Sequence, residues 1–132
     1  MRYLLDTNAV IALLNDPRGA VAQRARQHSP QDVGLPVIVI HELFYGAFKS
    51  LHVERNLARI DALPLEVLPY DPEDAREAGA IRATLAHQGT PIGGFDVLIA
   101  GQARARGLVL VTRNLGEFSR VDNLTLENWE GD

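Results

Sequence analysis

The chain has 132 residues, 46% of them hydrophobic and 23% charged, with a formal net charge of −4 and no cysteine. That length is enough for one folded domain spanning residues 1–132 with a real core; the absence of cysteine excludes disulfides and thiolate metal sites, and the acidic balance argues against coating nucleic acid by bulk electrostatics. No apolar run approaches the ~18 residues of a membrane span and no signal-peptide layout opens the chain, so a cytoplasmic setting without a membrane is expected.

In chain order, Arg2 to Leu5 reads as a short strand and "TNAVIALLND" as a helix, broken by Pro17-Arg18-Gly19. "AVAQRARQH" suits a second, more polar helix. "DVGLPVIVI" is an apolar, β-rich run that predicts a strand leading into a helix holding "HELFYGAFKS". "VERNLARIDAL" is amphipathic and "LEVLPY" a strand. In "DPEDAREAGAIRATLAHQG", Asp71 as cap, Pro72 at the first position and Glu73 and Asp74 in the first turn announce a helix. "FDVLIAGQARARG" is another, closed by Gly107. "LVLVT" is the most apolar strand and "LTLENW" a last short one. Strands alternating with helices predict an α/β fold around a mainly parallel sheet, in which sites form beyond the carboxyl ends of the strands.

Acids return to those junctions. Asp6 follows "RYLL", Glu42 lies in the first turns of a helix after "VIVI", Asp96 opens a helix after "PIGG", and Asn114 and Glu117 follow "LVLVT". Taken singly, each is explained as well by helix capping, worth ~0.5–2 kcal/mol, as by chemistry. The neighbourhood favours chemistry. Glu42 is flanked by Val39, Ile40, Leu43 and Phe44, and Asp96 by Phe95, Val97, Leu98 and Ile99. Several carboxylates in one partly dry pocket are costly unless protons or a cation neutralise them. Hard Mg²⁺ or Mn²⁺ prefers such oxygen donors and can hold water for attack on phosphorus.

The segments "LLDTNAVIALL", "VIVIHELFYGA", "PIGGFDVLIAGQARARG" and "LVTRNLGEFSRVDNLTLENW" together resemble PIN-domain ribonucleases, and more narrowly the VapC toxins of VapBC toxin–antitoxin pairs. The resemblance runs in order over nearly the whole chain. It implies an α/β/α sandwich and Mg²⁺- or Mn²⁺-dependent cleavage of structured RNA, transfer or ribosomal. It implies a homodimer, silenced in a hetero-oligomer by a VapB-type antitoxin whose tail crosses the site. Asp6, Glu42 and Asp96 match the three core acids: Asp6 and Asp96 as principal metal ligands, Glu42 as ligand of a second metal or as the group orienting the attacking water. Many relatives carry Asp where this chain has Asn114, which leaves Glu117 as the accessory acid.

Thr7 and Asn8, and Thr112 at the end of "LVLVT", read as turn or cap residues that can also orient Asp6. His41 is next to Glu42, but helical neighbours point about 100° apart. His28, His52 and His87 look isolated and superficial. Phe44, Tyr45 and Phe48 suit core or subunit packing better than base stacking. Gly93-Gly94 allows close backbone approach before Asp96. Arg104, Arg106 and Arg113 are candidate phosphate contacts, against the alternative of a solvated helix end. Twelve of the 13 cations are arginine, so forked phosphate contacts are available.

Three rival functions follow. An aspartyl-phosphate phosphatase would want a second Asp two residues after the first, where this chain has Asn8, and a later Lys; the only lysine is Lys49. A non-catalytic PIN-like module binding RNA or a partner would have no need of all three core acids. A solitary RNA-processing nuclease remains the alternative within the same chemistry.

Overall fold

The apolar run from Val33 to Ile40 is two elements rather than one long strand. In the computed structural model, which describes residues 1–131, strand β2 covers only Val33–Pro36 and helix α3 starts at once, Val37–Phe48. Leu35 is held extended by the proline that follows it, and Pro36 itself (φ −63°, ψ 141°) caps the helix. From there the buried residues fall at Val39, Leu43 and Ala47, a spacing of four that only a helix can bury on one side. Tertiary burial thus overrides the β preference of "VIVI", and Glu42 lies in the second turn of α3 rather than just after a strand.

The other elements follow the sequence closely. They are β1 (Tyr3–Leu5), α1 (Thr7–Asn15), α2 (Ala20–Arg26), a single 3-10 turn (Pro30–Asp32), α4 (Val53–Asp61), β3 (Glu66–Leu68), α5 (Pro72–His87), α6 (Gly94–Arg106), β4 (Val109–Val111), α7 (Leu115–Phe118) and β5 (Leu126–Glu127). Helix α5 begins as expected, with the Asp71 N–H donating to Asp74 Oδ2 at 2.8 Å. Helix α6 ends on Gly107, whose φ of 65° suits glycine. The one helix that periodicity did not anticipate, α7, is four residues long.

The five strands are all parallel in the order β3-β2-β1-β4-β5. Chain order therefore reverses at β1: β2 and β3 extend one side of it, β4 and β5 the other. Leu5 pairs with Val111, so the ends of β1 and β4 open side by side onto a crevice. Helices cover both faces, giving an α/β/α sandwich. Tyr3, Leu4 and Leu5 are buried, as are Leu35, Ile99, Leu110 and Val111 around them.

Two packing details fix the frame. A Cβ on Gly101 of α6 would stand 2.6 Å from the backbone N of Ala78 on α5, so the two helices touch backbone to backbone there. At the other end of the sheet Trp129 is buried against Tyr3 (ring centroids 5.1 Å apart) and stacks on His28 at 5.6 Å. His28 is therefore half-buried in an aromatic cluster, not an isolated surface residue. Among the described residues no helix is long and apolar enough to cross a membrane.

Candidate active site

Asp6 is both a cap and a buried acid. It leaves the end of β1 as the N-cap of α1, where Oδ1 accepts the Ala9 N–H at 2.9 Å, and it is only 4% exposed. Its own N–H donates to the Val111 carbonyl, which ties it to β4. Burial pushes its carboxyl above the ordinary value. The Thr112 hydroxyl and the Ala9 N–H pull the other way, and Arg113 does so more weakly. Beside it, Thr7 Oγ1 is buried without a hydrogen-bond partner among the described residues.

Asp96 sits half-buried in the first turn of α6 and faces the other acids. Burial, followed by the charges of Glu117, Asp6 and Glu42, pushes its carboxyl up to about 6. Asp6, Glu42 and Glu117, each from a different element, thus stand near enough for their charges to act on Asp96. Of the two preceding glycines, Gly93 has a specific reason: a Cβ there would press to 3.1 Å from Asp96 Oδ2, whereas one on Gly94 would meet open space. Glu42, also half-buried, lines a groove of about 240 Å³ shared with Ile11, Asn15, Asn56 and Arg59.

The loop after β4 supplies the fourth acid through a relay. Thr112 is buried, turned towards Asp6, and its Oγ1 accepts the Asn114 N–H at 2.9 Å. Asn114 Nδ2 then donates to Glu117 Oε2 at 2.6 Å. Asn114 therefore acts on Glu117 and offers its own carbonyl oxygen elsewhere. Asn8 does not share this network: it is exposed, and the N–H that engages Asp6 belongs to Ala9.

The arginines divide differently from the expectation. Asp96 lies at the start of α6 and Arg104 and Arg106 in its last turn, roughly 12–15 Å further along the axis. Arg104 bonds Glu77 Oε1 at 2.5 Å and the Asp122 carbonyl at 3.0 Å. Arg106 forks onto the buried Asp74 (2.9 and 3.2 Å) and reaches Asp71. That fork holds the Asp74 carboxyl below its ordinary range although burial opposes it. Both arginines fasten α6 to α5 and do not reach the acids. Arg113 remains near them, 60% exposed in its side chain and 3.8 Å from Glu130.

Glu130 is the residue the sequence did not reveal. Its charge acts on Asp6, and its Oε2 is buried without a partner. It arrives there because the Thr112 N–H donates to the Glu127 carbonyl, which brings the chain after β5 out beside the β4 loop. An acid two residues from the end of the chain, outside any amphipathic pattern, carries no signal for this placement.

Among the described residues, no three carboxylate or imidazole groups stand close enough to enclose an ion unaided. A divalent hard cation still fits, because Mg²⁺ keeps several waters and is commonly held by one or two carboxylates. Every side-chain donor here is oxygen, the charges repel one another, and the orphaned Thr7 hydroxyl can accept or donate to a water. The arrangement gathers negative charge, and among the described residues Arg113 is the cation whose charge acts on Asp6.

Comparison with known proteins identifies the family and the fold. The PIN domain family model matches residues 3–124. The chain is 42% identical over 131 residues to the tRNA(fMet)-specific endonuclease VapC of Salmonella typhimurium, covering 98% of each. It is 41% identical over 131 residues to Ribonuclease VapC2 of Haemophilus influenzae, again covering 98% of each. Among solved structures it resembles a chain of the DNA-bound VapBC complex from Salmonella typhimurium with a TM-score of 0.93, at 42% identity and 98% coverage of both chains. A chain of the VapBC2 complex of Rickettsia felis, bound to a DNA fragment of its promoter, gives 0.91 at 33% identity, covering 98% of this chain and 99% of that one.

Proposed function

The chain belongs to the PIN-domain family, in its VapC ribonuclease branch, and on that premise we propose that it is a divalent-cation-dependent endoribonuclease toxin of a toxin–antitoxin pair. The observation that carries the catalytic part is the placement of buried Asp6 at the end of β1, beside β4, with Asp96 in the first turn of α6 near enough for Glu117, Asp6 and Glu42 to act on its carboxyl. A site that repels its own charges is stabilised by a bound cation.

Asp6 and Asp96 would hold Mg²⁺, or Mn²⁺, with Glu42 completing the set and Glu117 adding outer charge. When bound, the ion polarises a phosphate oxygen and lowers the pKa of water. Glu42 is half-buried and close enough for its charge to act on Asp96, so its carboxylate would orient the attacking water and take its proton. Asp6 is kept rigid by the Ala9 N–H and Thr112, so the charge does not need to reorganise. Arg113, exposed beside the acids, suits a phosphate of the bound strand.

Structured RNA is the substrate class, with transfer RNA ahead of ribosomal RNA because of the tRNA(fMet)-specific relative. The partner is a VapB-type antitoxin, in keeping with the VapBC complexes among the structural relatives. Homodimer and antitoxin contacts have an apolar surface available on and after α3: Tyr45, Phe48 and Leu51 are exposed, so they are not core residues. A cytoplasmic location follows from such a substrate.

The test is digestion of purified initiator tRNA, elongator tRNA and ribosomal RNA by EDTA-stripped protein with Mg²⁺ or Mn²⁺ restored. Defined cuts in initiator tRNA that require the ion support the proposal. Binding of RNA without cleavage under either ion would favour a non-catalytic PIN-like module.

A further inference from the structure

Near the acids, the protein has little to offer the phosphates of a nucleic acid. The net charge is −4, Arg104 and Arg106 are engaged at the far end of α6, Arg59 beside Glu42 is bonded to the Leu14 carbonyl, and Arg113 is left to face the strand. RNA bound here must therefore draw part of its affinity from contacts other than phosphate pairing. Two aromatic rings lie where such contacts would be made. His41 immediately precedes Glu42 on α3, and Phe95 immediately precedes Asp96 on α6. Both are exposed, Phe95 by 49%. Their ring centroids are 5.5 Å apart with the planes tilted by 55°.

The one-residue offset has a geometric meaning. Successive side chains on a helix diverge by about 100°. On both helices the acid turns towards the gathered carboxylates while its predecessor turns to the rim, and the two predecessors meet. The aromatic pair thus borders the acids across the mouth formed by α3 and α6. An exposed phenyl ring leaves apolar area in water that a stacked base would cover. The imidazole beside it carries nitrogens able to hydrogen-bond the edge of such a base.

We propose that His41 and Phe95 form a nucleobase-binding subsite: an unpaired base stacks on Phe95, with its edge against His41, and so places the adjoining phosphodiester over the acids. This inference rests on the ribonuclease reading and deepens it. It fits structured RNA in particular, since paired bases have no free face and the bases of a loop do. The contact is tolerant of base identity, so it orients the strand without selecting its sequence.

The test uses the full chain carrying Asp96→Asn, which leaves RNA uncut, and an RNA hairpin with 2-aminopurine in its loop. Fluorescence reports stacking and anisotropy reports affinity, each across a salt series. Phe95→Ala should weaken binding about tenfold and remove the quench, Phe95→Tyr should keep both, and His41→Ala should reduce the quench. The salt dependence should not change, because no phosphate contact is lost. An abasic loop position should mimic Phe95→Ala and add nothing to it. Unchanged affinity and quench in Phe95→Ala would overturn the subsite while the ribonuclease reading stands. Unchanged RNA binding with a dissociated oligomer would assign the pair to a protein contact instead. If the parent protein binds no hairpin while the wild type still cuts RNA, the subsite falls and the ribonuclease reading stands; if the wild type with Mg²⁺ or Mn²⁺ neither binds nor cuts RNA, both fall.

Discussion

Asn114 donates from Nδ2 to Glu117 Oε2 at 2.6 Å, so an uncharged amide in the loop after β4 serves to hold an acid. Replacing Asn114 by Asp would set two carboxylates against each other and remove the only donor in the pair. Asn114→Asp should therefore weaken Mn²⁺ binding and cleavage by about tenfold, roughly the value of one charge-assisted hydrogen bond. Titration of the metal-free protein with Mn²⁺, for this variant and for Glu117→Gln, checks it. Tighter Mn²⁺ binding by Asn114→Asp would show that position 114 is itself a ligand site.

Asp96 makes metal-free stability depend on pH. Its carboxyl is raised from 3.8 to about 6, so the folded chain holds that proton more tightly than the unfolded chain does. Its contribution is then most favourable below the unfolded value and is lost as pH rises through about 6. Discounted for partial exposure, the loss is of order 1 kcal/mol, a few degrees in Tm. Thermal unfolding in EDTA at pH 5 and pH 7 should show the decline in the wild type and a smaller one in Asp96→Asn, which should also melt higher at pH 7. Equal slopes would mean that Asp96 is not crowded by charge.

Glu42 and Glu117 should separate by function. Glu42→Gln removes the group placed to take a proton from water and should reduce cleavage by about 10²–10⁴-fold. Glu117→Gln removes outer charge and should raise the Mg²⁺ concentration needed, with a smaller fall at saturating ion. Cleavage rates measured across a Mg²⁺ series distinguish the two. Complete loss at Glu117, unrelieved by Mg²⁺, would make it a core ligand.

The two glycines give opposite expectations. Gly101→Ala forces a Cβ against the Ala78 backbone and should destabilise the fold by about 1–3 kcal/mol, seen as a lower urea midpoint. Gly93→Ala brings its Cβ to 3.1 Å from Asp96 Oδ2, so it should leave the fold near its wild-type stability and weaken Mn²⁺ binding. A Gly93→Ala protein with unchanged Mn²⁺ affinity would show that the carboxylate moves freely.

Most of this architecture is legible from the sequence because its signals are local. The Asp71-Pro72 start of α5, the Gly107 end of α6 and the apolar "LVLVT" all act within a turn or a strand. The strand-to-helix positions of Asp6 and Asp96 are local as well, and chain order alone aims both at the same sheet edge. What escapes depends on distant partners. The helical "VIVI" is decided by what it buries, and Arg104 and Arg106 by Glu77 and Asp74 on another helix. Glu130 and His28 are placed by the strand pairing of β5 and the packing of Trp129.

The central claim is that the gathered carboxylates hold the cation that RNA cleavage requires. The most direct measurement compares wild type, Asp6→Asn and Asp96→Asn for Mn²⁺ binding and for initiator tRNA cleavage in the same preparations. Asparagine keeps the shape of each acid, and at position 6 it keeps a good N-cap, so circular dichroism should be unchanged. Both variants should lose Mn²⁺ binding and cleavage together. Cleavage at the wild-type rate by either variant, in Mg²⁺ and with EDTA-treated protein as control, would contradict it.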